Sequence, residues 1–361
     1  MKNLPRHLAF HLVRAAATAL LAVVTFGAAA HAGTYYASPS GSSSNSGTSS
    51  SSPWTLDKAN STLRPGDVCV LLPGNYSTSI NPATAGTGPA ARITYVGSIG
   101  NPSATSVTSL TIKKAYITIK GVTGDDLGME YPARYDSIAY CVGRSGGHFY
   151  GAKYSFIGKS TINGPFSFLL DLAQTLSGTS NCESDTLRGC AINMGQIPGW
   201  HGFKIRGYTQ RCLIDSNQVM GLFVLPDGVG RIFYNSSYNT LRDNSWKFDA
   251  TAYYNAGHDP WNGFVLRDSA NHYLFERDTV LFGMNSNSEY RIRGQFSGSG
   301  TYPNSVADNT WRNCFYRTNS YFWVQNGLKR CTLEGNVFAS QYDTPIQHGT
   351  NESTTIVHNT F

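Results

Sequence analysis

Charge is scarce in this chain: Asp, Glu, Lys and Arg make up 14% of its 361 residues, against about 25% in an average soluble domain. The excess of 28 basic over 22 acidic residues is small, and with so little positive field a nucleic-acid partner is not expected. Long apolar runs are also missing beyond Ala15–Ala30; that run is shorter than the roughly 20 residues of a spanning helix. No Cys and His stand at zinc-site spacing, and Asp-Asp occurs only at Asp125-Asp126. What the chain has instead is 40% hydrophobic residues, 37 Gly, 21 Tyr and 18 Phe. That is enough apolar surface for a large core and enough turn formers for a β protein.

Lys2, Arg6 and Arg14 precede the apolar run, and Ala30-His31-Ala32 supplies the small-x-small pattern of a signal-peptidase site. Residues 1–32 therefore read as a signal peptide and 33–361 as a single exported domain, secreted or periplasmic, without a transmembrane segment. Losing the leader lowers the formal charge from +6 to +3. No Cys follows the cleavage point, which argues against a lipoprotein. The mature protein is expected to be a monomer.

A six-residue cassette recurs eight times: apolar, two variable residues, a small or polar residue, one variable residue, apolar. It runs Ile157–Ile162, Leu187–Ile192, Ile214–Val219, Leu241–Trp246, Phe275–Val280, Trp311–Tyr316, Leu333–Phe338 and Ile356–Phe361. Its fourth position holds Ser160, Cys190, Asn217, Asn244, Asp278, Cys314, Asn336 and Asn359. A fixed cassette at variable intervals fits a coil whose turns repeat the same short strands while insertions stay in loops. Asn at the corner can bond local backbone, adopt the left-handed conformation and form a ladder between turns. About ten residues before each cassette lies another short strand, such as Phe203-Lys204-Ile205-Arg206 or Phe264-Val265-Leu266-Arg267. Hairpins of a propeller and the regular leucines of a leucine-rich repeat are both missing.

These features, with Tyr35-Tyr36-Ala37-Ser38-Pro39-Ser40-Gly41, Pro53-Trp54-Thr55-Leu56-Asp57-Lys58-Ala59 and Pro65-Gly66-Asp67-Val68 at the front, resemble the pectin-lyase-like superfamily. The resemblance implies an all-β, right-handed parallel β-helix with an N-terminal cap over about 33–75. The cap includes a short helix in which Leu56, Ala59 and Leu63 share a face. The Ser-rich stretch Ser40–Ser52 is read as a cap loop. At the other end the chain stops inside a cassette at Phe361, so a C-terminal cap is expected to be missing and the chain to be a fragment. The seven Cys are read as buried thiols: Cys190 and Cys314, or Cys212 and Cys331, would sit four turns, about 19 Å, apart. A local Cys182–Cys190 bridge is the geometric alternative.

Inward side chains fill such a coil, so chemistry belongs on an outward strand face. Lys204, Arg206 and Arg267 fall outward by alternation, followed by Arg231 and Asn235 and by Arg291 and Arg293 on neighbouring turns. The inserts Asp249–Asn262 and Gly283–Ser305 add His258 and Trp261 as groove walls, and Asp227 and Asp259 as candidate ligands for calcium. A row of cations suits an extended polyanion such as pectate, alginate or a glycosaminoglycan. Family members cut such chains by β-elimination, which makes Lys204, Arg206, Arg267 and Arg293 the catalytic candidates. Arg231, Asn235, His258, Trp261 and Arg291 are the substrate-binding ones. Asn262-Gly263-Phe264-Val265-Leu266-Arg267 is similar to polysaccharide lyase family 9, but Asn262 stands where that family has an Asp ligand, and Gly283-Met284-Asn285-Ser286 where it has an acidic cluster. The competing expectations are a non-catalytic surface or adhesion module and a glycoside hydrolase, whose paired-Asp motif is missing.

Overall fold

The computed structural model describes residues 32–164, 170–173, 181–198, 203–224, 230–232, 236–249, 264–266, 269–282, 290–292, 306–318, 322–324, 328–340, 346–348 and 353–361. Within them the strands form three long sheets in which every pair is parallel. Sheet A has 13 strands from Thr34–Ala37 to Thr355–Val357, sheet B 11 from Gly74–Asn75 to Val337–Ser340, and sheet C 10 from Leu110–Ile112 to Ile346–His348. Each turn visits A, B and C in that order, which makes the coil the right-handed parallel β-helix expected from the cassette. Among the described residues no helix is long and apolar enough to cross a membrane. The leader, 1–31, lies outside them.

The cassette works because its first and last residues face inward on successive sheets. Ile157, Leu187, Ile214, Leu241, Phe275, Trp311 and Leu333 stack as the inner column of sheet A, all buried. Ile162, Ile192, Val219, Trp246, Val280, Tyr316 and Phe338 do the same in sheet B. Aromatic pairs extend the stacking, with Phe275 and Trp311 at 5.2 Å between ring centroids and Tyr316 and Phe338 at 5.3 Å.

The corner between A and B differs from the expectation in one respect. The left-handed residue is the third of the cassette, not the fourth: Lys159, Gly189, Ser216, Asp243, Arg277, Asn313, Gly335 and His358 carry the positive φ. This turns the fourth residue inward, where Asn217, Asn244, Asp278 and Asn336 are buried and form the ladder. Asn244 Oδ1 accepts the Asn217 N–H and side-chain amide, both at 3.0 Å. Asn244 donates in turn from N and Nδ2 to Asp278 Oδ1 at 2.8 and 2.9 Å. A second ladder, unforeseen, lines the corner entering sheet A through Asp136, Ser155 and Asp185, then Asn239, Tyr273 and Asn309.

Each described thiol is free and buried. Cys182 lies beside Cys212 on the next turn rather than Cys190: the two sulfurs and the Asp185 carboxylate fall within 4.8 Å of one another. At the front, Leu56–Thr62 forms the capping helix, with Thr55 Oγ1 accepting the Lys58 N–H at 3.1 Å. The Ser-rich loop folds over Trp54, whose Nε1 donates to Asn45 O at 2.9 Å.

Candidate functional site

On sheet C, Leu127, Met129, Phe149, Phe203 and Ile205 are in the core, so the residues alternating with them take the outer positions. The backbone register aligns one such row along the coil: Gly128, His148, Asp171, Lys204, Arg231, Val265, Arg291, Trp323, Gln347. Three of the sequence candidates, Lys204, Arg231 and Arg291, therefore share a row, interrupted by Val265. Lys204 differs from an open groove-floor cation: it is buried at 6% exposure and engaged by neighbours. Arg206 lies just past its strand, part-exposed, with its carbonyl accepting from Thr209 Oγ1 at 2.7 Å. Arg267, Arg293, Asn235, His258, Trp261, Asp227 and Asp259 lie outside the described residues.

The same row begins with a cluster that sequence reasoning passed over. His148, only 13% exposed at its side chain, sits between two carboxylates: Nδ1 is 3.4 Å from Asp126 Oδ2 and Nε2 3.2 Å from Glu130 Oε1. Lys113 Nζ holds the other Glu130 oxygen at 2.7 Å, while Ser109 and Thr111 hydroxyls donate to Asp126. Tyr150 stacks on the imidazole at 4.3 Å. The His148 contact, with Lys113 behind it, holds the Glu130 carboxyl down to about 2. Both ring nitrogens can donate to their carboxylates at once only as imidazolium. Gly128 creates the space: a Cβ there would meet His148 Cε1 at 2.5 Å and Nε2 at 2.6 Å. The available signal was the polar–apolar–polar triplet repeated on three turns, Thr111-Ile112-Lys113, Gly128-Met129-Glu130 and His148-Phe149-Tyr150; Asp126 had been read as a turn residue.

Calcium needs six to eight oxygen ligands. Among the described residues the one metal-competent grouping is Cys182, Asp185 and Cys212, buried in the core with two thiols, which does not fit a calcium site on the outer face.

No protein-family profile and no curated protein sequence matches the chain. Solved structures do. XylC, solved with xylose, superposes with a TM-score of 0.52 at 11% identity over 88% of this chain and 70% of its own. The A-module of the mannuronan C-5 epimerase AlgE6 from Azotobacter vinelandii gives 0.52 at 13% identity, over 81% and 90%. Pectate lyase Pel9A gives 0.48 at 15%, over 90% and 78%. At these identities the likeness is one of fold, and fold alone does not assign activity.

Proposed function

We propose that this chain is an exported carbohydrate-active enzyme that lays an extended acidic polysaccharide along the outer face of sheet C and cleaves it by β-elimination. The observation that carries the reading is the single row in which His148, held between Asp126 and Glu130, is followed in register by Lys204, Arg231 and Arg291. Successive strands are about 4.8 Å apart, so the row offers basic groups at short intervals to a chain with a carboxylate on each sugar.

In β-elimination a base takes the proton at C5, cations stabilise the enolate-like charge on the uronate carboxylate, and the leaving oxygen gains a proton. Lys204, buried against the sheet, is assigned the base, a role that buried lysines take in catalysis. Arg231 and Arg291, with Arg267 and Arg293 beside them in sequence, are assigned to the carboxylates. His148 lies two strands, about 10 Å, from Lys204. That is too far to act on the same bond and suits a hold on a neighbouring sugar. Neutralisation is thus given to side chains, and addition of calcium is expected to leave turnover unchanged.

The test is the ultraviolet absorbance of unsaturated uronates, followed with polygalacturonate, alginate and chondroitin, with and without calcium. A rise with one polymer, abolished by Lys204→Ala and lowered about a hundredfold in kcat/KM by Arg231→Ala, is expected. The occupied His148 nitrogens also fit a second reading, a non-catalytic binding module. Polymer binding by folded protein without any rise would select it.

A further inference from the structure

The outer face of sheet A carries a second site, on a different side of the coil from the His148 row. Tyr116, Tyr135 and Tyr154 stand one above another at the corner entering sheet A, with ring centroids 5.0 Å apart at both steps. Each is left-handed, at φ 58, 58 and 56, a conformation that bulky residues rarely adopt. Their rings are not core, since Tyr135 and Tyr154 are exposed, and their hydroxyls bond to nothing among the described residues.

The column walls a trough of about 430 Å³ on the outer face, whose lining also includes Arg92, Thr118, Lys120, Ser137 and Phe156. The floor is low because the row beginning at Lys120 continues with Ala139 and Gly158. Phe156 lies across Gly158: a Cβ on that glycine would fall 2.0 Å from Phe156 Cζ. An aromatic ring is thus laid along the floor. Arg92 closes one end, held by Nε to Thr118 Oγ1 at 2.7 Å and by Nη2 to the Ile117 and Tyr135 carbonyls. Lys159 stands at the far corner of the same strands, 3.1 Å from the Tyr140 hydroxyl.

Charge separates this trough from the rest of the face. Further along the same rows Arg188 and Arg242 both pair with Asp215, and Arg312 pairs with Glu276; at the adjoining corner Arg277 pairs with Asp243. Arg92, Lys120 and Lys159 make no ion pair. The one carboxyl in the lining, Asp136, is buried, with Oδ1 taken by the Ile117 N–H at 2.6 Å. A trough with unpaired cations, an aromatic floor and a row of free phenols is complementary to a ligand that is anionic, flat-faced and rich in hydroxyls.

We propose that it is a second, non-catalytic site for an acidic oligosaccharide. Carboxylates meet Lys120, Lys159 and Arg92, a pyranose face lies on Phe156, and sugar hydroxyls meet the tyrosine column. The choice of an acidic sugar rests on the proposed function; the trough itself does not.

The test uses the full chain. Retention in native gels containing polygalacturonate or alginate is measured for the wild type, Lys120→Glu, Phe156→Ala and Arg231→Ala, each first checked for an unchanged melting temperature. Lys120→Glu is expected to weaken retention about tenfold and Phe156→Ala severalfold, while turnover of a short uronate oligosaccharide stays at the wild-type rate. In a background carrying Arg231→Ala, retention that still falls on adding Lys120→Glu supports a separate site. Lys120→Glu and Phe156→Ala variants retained like the wild type would overturn the proposal, as would equal binding of a neutral dextran. A protein that turns over no glycan but shows the Lys120-dependent retention loses the lyase reading and keeps this one.

Discussion

At the scale of single residues, three buried carboxyls set how the fold responds to pH. Burial pushes Asp136, Asp185 and Asp278 up to about 7, from the ordinary value near 4. The folded chain therefore holds protons that the unfolded chain has released between about pH 4 and 7. Over that window stability falls as pH rises. Asp278→Asn keeps the oxygen that accepts from Asn244 and removes the ionisation. It is expected to leave the melting temperature unchanged near pH 4 and raise it above pH 7, so that the melting curve against pH flattens. A different residue-scale effect belongs to Gly128, which has no left-handed φ and is glycine only for the sake of the His148 ring. Gly128→Ala is expected to displace that ring from Glu130 and raise KM severalfold, with less than about 1 kcal/mol change in stability. An unchanged KM would remove His148 from the site.

At the scale of elements, the cassette was legible because inner columns need apolar residues at two fixed places whatever the loops do. Its polar residue was legible too, but not its conformation. Asn commonly occupies left-handed positions, and here that conformation falls one residue earlier, on a position as variable as Lys159, Asp243 and Arg277. The second ladder was hidden for a related reason: Asp136, Ser155, Asp185, Asn239 and Asn309 accept the same backbone N–H with different side chains, so no letter repeats. Energetically the first ladder is an all-or-none device. Asn244 gives and receives bonds on both neighbouring turns and also donates to the Ile214 carbonyl at 2.9 Å. Asn244→Ala leaves these buried groups unmatched and is expected to cost about 2–4 kcal/mol by chemical denaturation. Asn217→Ala in the same background should cost less than it does alone, since the bonds it would lose are already broken.

At the scale of the whole molecule, the coil separates its faces by chemistry. Sheet C carries the His148 cluster and the basic row, the early turns of sheet A the tyrosine trough, and its later turns a self-neutralising strip of Arg with Asp and Glu. The basic row could be read from alternation within strands. The His148 cluster could not, because Asp126, Glu130 and His148 meet only through the stacking of two turns. Stacking also governs stability: each turn rests on its neighbours, so opening is expected to spread from weakly covered turns rather than to be all-or-none. The thiols report on this. Burial pushes Cys69, Cys141 and Cys314 up to about 12, and a buried thiol alkylates only when its turn opens. The last inner column position, Ile356, is 39% exposed, while Ile157 is fully covered. Timed alkylation in mild denaturant, read by peptide mass, should therefore label Cys331 and Cys314 before Cys141. Labelling of all the thiols at a single rate would show instead that the coil opens as one unit.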